Sequence, residues 1–311
     1  MSDAKKPAPH GWIVLDKPRG LGSTQAVGAV KRMLRQGGYA KTKVGHGGTL
    51  DPLAEGVLPI ALGEATKLCG RMLDASKIYE FTIQFGEETD TLDMEGEVVS
   101  TSDARPTPAE VEAILSHFTG PIEQAPPAYS AIKIDGKRAY DRARAGEDVE
   151  VPVRRVTIYD IEYRGEGEEM DGSRSATLRA HVSKGTYIRS LARDIAYALG
   201  TVGHVTYLRR AKAGPFHQDQ AISLDKLGEI GKGAPLQDLL LPLEAGLDDI
   251  PALKLDSVSA QAVRQGRVLT EMPQTDGLYC AMLDNDPVAL MELSGGTAKV
   301  VRGFNLPDVA E

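Results

Sequence analysis

The segment Lys43-Val44-Gly45-His46-Gly47-Gly48-Thr49-Leu50-Asp51-Pro52 concentrates the groups best able to do chemistry. Three glycines within four positions permit backbone conformations closed to other residues and let the main chain approach a ligand closely. They flank an imidazole and a carboxylate, so the loop is built to touch a ligand. No Lys-Ser/Thr follows the glycines as a Walker-type phosphate loop requires, and no GxGxxG opens a helix after a strand, so nucleotide-cofactor chemistry is not expected. His46 has no second His or Cys at ligand spacing, and the two cysteines, Cys69 and Cys280, stand far apart, so no metal site is expected either. An Asp-Pro step is equally the start of a helix, with Asp51 as N-cap and Pro52 in the first turn.

The elements around the loop alternate without a strict βαβ rhythm. Gly11 to Asp16 reads as a strand; Ser23 can cap a helix whose Val27, Val30 and Leu34 recur at helical spacing, stopped by Gly37-Gly38. Residues 41–56 read as loop, Ile78 to Phe85 as an alternating strand, and Thr107-Pro108-Ala109-Glu110 as a capping box opening a helix to about His117. Tyr129 to Ile134, Val149 to Tyr163 and Ala176 to Val182 read as strands, Arg138 to Ala145 as a short helix, and Thr186 to Leu199 as a helix closed by Gly200. Tyr163 to Ser175 is a polar hairpin or insertion. The mixture predicts an α+β fold with a mixed, largely antiparallel sheet flanked by helices. Leu243 to Pro251 reads as a linker, followed by a helical segment (Leu255 to Val268) and short strands that make a small β-rich C-terminal module. The expected division is a flexible tail over residues 1–10, a catalytic unit over 11–245 and the module over 250–311.

The 311 residues are 41% hydrophobic and 26% charged, the composition of a globular protein rather than a disordered one. No apolar run approaches the roughly 20 residues of a membrane span, and the N-terminus lacks the apolar core of a secretion signal, so a cytoplasmic protein without a membrane partner is expected. The net charge of −8 argues against nucleic acid as a partner, but the distribution does not. Lys5 to Lys43 carries nine basic residues against one acid and Arg179 to Lys212 seven against one, while residues 51–100 hold eleven acids and three bases. Two basic segments that meet in space can bind a polyanion while the acidic remainder limits indiscriminate binding. Each run, taken alone, is equally a solvated face.

Six ordered segments carry a specific resemblance. They are GWIVLDKPRGLGST (Gly11 to Thr24), VGHGGTLDPLAEGVLPIALGEATK (Val44 to Lys67), KIYEFTIQFGEETDTLD (Lys77 to Asp93), PPAYSAIKIDGKRAYDRARAG (Pro126 to Gly146), VSKGTYIRSLARDIA (Val182 to Ala196) and HVTYLRRAKAGPF (His204 to Phe216). Together they resemble the bacterial tRNA pseudouridine synthases that act on the T-loop uridine, position 55 of tRNA. The resemblance implies that fold, an isomerase acting on a flipped-out nucleotide in the T-arm, and no cofactor. It makes Asp51 the catalytic aspartate, Tyr79 the aromatic residue against the target base and Arg189 the basic partner of Asp51. It places His46 near the flipped base, Asp90 at the uracil, and Lys17, Tyr187 and Leu208 in supporting positions of the pocket. The basic segments then become a phosphate track, with Lys17 and Arg19 in the first and Arg209 and Arg210 in the second. Gly47 and Glu55 depart from the Thr and Thr/Ser common in that family. The C-terminal module is similar to a PUA domain, and the chain is expected to act as a monomer, with tRNA-folding chaperone activity as a possible second role.

Two other classes use similar residues. A noncatalytic RNA-binding protein needs the basic faces but not Asp51, Tyr79 and Arg189 together. A uracil-releasing or glycoside hydrolase needs a positioned water and usually a second carboxylate, whereas the motif string offers one.

Overall fold

The computed structural model describes residues 5–130, 133–134, 136–145, 147, 151–167 and 174–306. In chain order the first elements are β1 (Gly11–Lys17), α1 (Ser23–Gln36), β2 (Val44–His46), β3 (Glu55–Leu62), α2 (Cys69–Asp74), β4 (Lys77–Phe85), β5 (Glu87–Thr89), β6 (Val98–Thr101), α3 (Pro108–Ile114) and β7 (Gly120–Gln124). Then come β8 (Lys133–Ile134), β9 (Lys137–Arg138), α4 (Ala139–Arg144), β10 (Arg154–Gly165), β11 (Ser175–Val182), α5 (Ile188–Ala198), β12 (Gly203–Ala213), β13 (Phe216–His217) and α6 (Leu224–Gly231). The module comprises β14 (Ala252–Leu255), α7 (Ser257–Arg264), β15 (Gly277–Leu283), β16 (Asp286–Ser294) and β17 (Thr297–Gly303).

One sheet runs β1-β3-β12-β4-β11-β10-β7, with β2 added to β3 and β13 to β12. Its pairs are antiparallel except β12 with β3, which run parallel and set Arg209 against Glu55 and Arg210 against Gly56. That junction decides where the site lies, because β12 also pairs β4 and puts Arg210 opposite Tyr79. Gly56 has a φ of +99°, and a Cβ there would run into the backbone of Arg210, so the close approach requires glycine. One face of the sheet is covered by α5 and α3, where Leu191, Ile195 and Val111 pack on Phe81, Ile83 and Leu178. At the other end of the sheet Val30 and Leu34 of α1 and Leu227 and Ile230 of α6 pack on Ile13, Leu15, Leu58 and Ile60. The expected α+β class and largely antiparallel sheet are what the structure has.

Several local expectations change. Residues 41–56 are not all loop: β2 adds to β3, and Glu55 and Gly56 already belong to it. Asp51 starts no helix; Asp51 to Ala54 form a turn, with the Ala54 amide donating to the Asp51 carbonyl at 3.1 Å, and β3 follows. Proline at its second position supplies the fixed φ such a turn uses. Ser23 opens α1 without capping it, since its hydroxyl is spent on the amide and carbonyl of Leu50. From Lys6 onward the expected flexible tail is docked, bonded through its backbone to Gly38 and Ala40. The expected strand from Tyr129 falls partly, and the tip of the hairpin from Tyr163 to Ser175 and the first four residues fall wholly, outside the described residues.

The segment read as a linker is packed, not loose. Trp12 is fully buried, donates its indole N–H to the Leu243 carbonyl at 3.1 Å and lies 5.1 Å from the Phe216 ring. Leu243 and Leu247 share that cluster with Cys280, Leu290 and Phe304 of the module. An Asn305 amide bound to Glu64 and a Lys67 ammonium bound to the Gly303 carbonyl tie the module to the sheet's first half. Apolar burial of this kind holds two units as one body.

Candidate active site

Asp51 stands at a cleft of about 270 Å³ walled by Gly48 to Asp51, Tyr79, Tyr187, Arg189 and Leu208. That volume is near the lower end for small-molecule sites and suits a group the size of one nucleoside. The Asp51 side chain is 41% exposed, whereas Arg189 opposite it is 7% exposed, so the carboxylate faces the open space and the guanidinium lies behind it.

Arg189 comes from the first turn of α5. One nitrogen of its fork meets Asp51 Oδ2 at 2.9 Å and the Tyr129 carbonyl at 3.1 Å. The other meets the Thr91 carbonyl at 2.8 Å and Asp93 Oδ2 at 3.3 Å. The fork is therefore shared between two carboxylates rather than clamped on one. Asp93 is buried, supplies the counter-charge the interior arginine needs, and is held by the Thr91 hydroxyl and the Glu95 amide. Asp51 is left with one oxygen fixed and its side chain open to the cleft.

The turn that carries Asp51 is itself held by buried cations. Arg210, 1% exposed, donates to the carbonyls of Val57 at 2.8 Å, Gly48 at 3.1 Å and Thr49 at 3.2 Å. Lys17, fully buried at the end of β1, donates to the carbonyls of Pro18, Leu21 and, at 3.4 Å, Pro52. Burial pulls its pKa down to about 8, with Asp51 nearby acting to raise it. Lys77, at the start of β4, donates to Met72, Leu73 and Ala75 carbonyls where α2 ends, and burial lowers its pKa to about 8 as well. That pins α2 beneath the glycine loop, where a Cβ on Gly47 would come within 2.6 Å of Met72 Cβ. The absence of threonine at position 47 follows from Met72.

Among the residues singled out in sequence, Asp51, Tyr79, Tyr187, Arg189, Leu208 and Arg210 line this cleft. Tyr187 stands at the start of α5, its backbone fixed by both ends of the buried Gln124 amide, its ring 5.2 Å from the Arg154 guanidinium, and its hydroxyl pushed up in pKa by burial. Lys17 takes the supporting place expected of it, under the Asp51 turn, but the expected phosphate track is not formed by these residues. Lys17 and Arg210 touch no solvent-exposed track, and Arg209 is engaged with Asp16 and Glu55, both at 3.1 Å. Glu55 thus pairs an arginine where a threonine or serine could not. His46 lines a neighbouring cavity with Cys69 and Thr66, and burial followed by the Arg210 charge lowers its pKa, which keeps it neutral. Asp90 is exposed and accepts the Glu97 amide at 3.0 Å; Asp93, three residues on, is the acid that reaches Arg189. Asp93, Lys77 and Arg154 were not legible as site residues. Nothing in a run of acids tells which member turns inward.

Known proteins resemble the chain along its length. Residues 31–188 match the TruB family pseudouridylate synthase N-terminal domain, and residues 189–248 the tRNA pseudouridylate synthase B C-terminal domain. A protein of Novosphingobium aromaticivorans named tRNA pseudouridine synthase B is 68% identical over 97% of this chain and 99% of its own. One of Zymomonas mobilis with the same name is 58% identical over 95% and 96%. Among solved structures, an H/ACA ribonucleoprotein bound to a substrate RNA containing 2'-deoxyuridine superposes with a TM-score of 0.72 at 25% identity, covering 96% of this chain and 86% of the other.

The lysines under the turn give a test that needs no substrate. A folded-state pKa of about 8 against an ordinary 10.5 means that between those pH values the unfolded chain holds a proton on Lys77 that the folded chain has shed. Stability then rises with pH across that window. In urea denaturation, the parent is expected to gain stability relative to Lys77→Met between pH 8 and pH 10. A constant or shrinking difference contradicts the buried, desolvated lysine.

Proposed function

The chain belongs to the TruB family of pseudouridylate synthases, and on that premise we propose that Asp51 performs its chemistry on a nucleotide drawn into the cleft described above. The enzyme isomerises uridine to pseudouridine in tRNA. The reaction breaks the N1–C1′ bond, turns the base over and joins C5 to C1′. The proton lost from C5 balances the one gained at N1, so no electron or group donor enters. What the protein must supply is an ionised carboxylate against the sugar or base, a surface for the detached ring, and exclusion of water. The observation that carries the reading is Asp51 with one oxygen tied to a buried arginine and its side chain open to the cleft.

The uridine lies in the T-arm and must leave its stack to enter, at a cost of a few kcal/mol. Tyr79 and Tyr187 offer aromatic faces to a detached base, each stacked base being worth about 1–3 kcal/mol. Leu208 closes the apolar side, and Arg154 and Lys184 supply cations near the cleft, Lys184 now resting on Asp74 at 2.8 Å. The catalytic unit of residues 11–245 and the module of 250–311 act as one RNA-binding body. The working unit in this reading is a monomer, with Asp51, Tyr79 and Arg189 of one chain meeting at one cleft. Its tRNA substrate makes it cytoplasmic, and among the described residues no helix is long and apolar enough to cross a membrane.

Asp51→Asn, nearly isosteric but uncharged, should abolish turnover while tRNA affinity stays within about tenfold, because affinity comes from many phosphate contacts. Arg189→Lys should lower the single-turnover rate by roughly a hundredfold, since one ammonium cannot hold Asp51 and Asp93 together. Substantial isomerisation by the asparagine variant sinks the role of Asp51. Arg210→Lys separates loop-holding from phosphate-binding. The single-turnover rate should fall about tenfold or more with the salt dependence of binding unchanged, whereas a lost phosphate contact lowers the log–log salt slope by roughly 0.7–0.9 and spares the chemistry.

A further inference from the structure

Beyond the far end of β3 from the Asp51 turn lies a second and larger cavity of about 750 Å³. Its wall carries Lys5, Lys31, Arg35, Lys41 and Lys43 around Tyr39, and no carboxylate lines it. Among the described residues none of these five cations makes an ion pair. They come from three separate segments that the fold brings together. Lys31 and Arg35 are four apart on α1 and share a face. Lys41 and Lys43 are both exposed while Val44 is buried. Lys5 is brought in by the backbone bonds of Lys6 to Gly38 and Ala40. A helix C-terminus favours Arg35, but the dipole gives no reason for the lysines of the other two segments. Gathered like charges without counter-charge repel each other, and an anion is what relieves them.

The position of the cavity says which anion. The Lys43 carbonyl accepts the amide of Gly63, one residue past β3, whereas the Asp51 turn leads into Glu55 at its start. Eight residues of strand at about 3.3 Å each place the cavity roughly 25 Å along the sheet from that turn. A stacked nucleic-acid strand advances about 3.4 Å per nucleotide, so the gap corresponds to roughly seven nucleotides. Between them in the chain lies the His46 cavity, which shares Lys43 and Val44 with this one.

We propose that this cavity is a second RNA-binding site, which takes backbone phosphates of the substrate about seven nucleotides from the target uridine. It rests on the reading of the substrate as tRNA and adds to it a contact the cleft does not make. Holding the RNA there sets its direction across the sheet and raises affinity without touching the reacting atoms.

The test is Lys31→Ala/Arg35→Ala, two exposed helix positions where alanine favours the helix. Pseudouridine formation is measured on a whole tRNA and on a short RNA holding the target uridine with about three nucleotides on each side. On tRNA, KM should rise about tenfold with kcat unchanged, and the log–log salt slope of binding should fall by about 1.4–1.8 for two lost phosphates. On the short RNA, which cannot reach the cavity, the variant should match the parent. Parental KM and slope on tRNA overturn the proposal, as does an equal loss on both RNAs. Parental tRNA values with weakened binding to vesicles of anionic lipid overturn it too, and give the cavity to a lipid surface. A parent that makes no pseudouridine in tRNA is instead the failure of the substrate reading.

Discussion

The site depends on buried positive charge gripping the main chain of one turn. Arg210 holds the carbonyls of Gly48 and Thr49, Lys17 reaches that of Pro52, and Arg189 takes one oxygen of Asp51 itself. Desolvating each cation costs several kcal/mol, which charge-assisted bonds to several acceptors offset only when all are aimed correctly. A turn held from three sides has little freedom left. It can present a carboxylate in a fixed place to a substrate that must be pulled from its stack.

The parallel pairing of β3 with β12 makes this grip possible. It brings Arg210 alongside Gly56, directly after the turn, while the next strand places Tyr79 opposite Arg210. Asp51 and Arg189 are 138 positions apart in the chain, so neither Tyr79 nor Arg189 is near Asp51 except through this sheet. The same architecture spreads the binding charge: interior cations serve the turn, and exposed ones remain for RNA. That division reconciles a net charge of −8 with a polyanionic substrate.

Much of this was legible in the residues. The glycine-rich loop with its single carboxylate, the alternating strand that carries Tyr79, and the helix that carries Arg189 were identifiable from types and spacing, and the resemblance tied them to one chemistry. The basic runs misled in their detail because charge says nothing of burial. Lys17 and Arg210 read as phosphate contacts, yet a lysine or arginine surrounded by carbonyls is an interior strut. The resemblance pointed to Asp90, and nothing in an acidic run tells it from Asp93 three residues on; the turn after β5 directs Asp93 inward to Arg189 and leaves Asp90 exposed. The linker reading failed because Trp12, distant in sequence, covers that segment. Long-range contacts of this kind leave no local signature.

The most direct measurement is to incubate the purified protein with an unmodified tRNA, map pseudouridine nucleotide by nucleotide, and assay the supernatant for free uracil. If a single fixed carboxylate isomerises a nucleotide in this cleft, pseudouridine forms at the T-loop uridine and no uracil is released. Free uracil, or a T-loop uridine left unchanged, would contradict it.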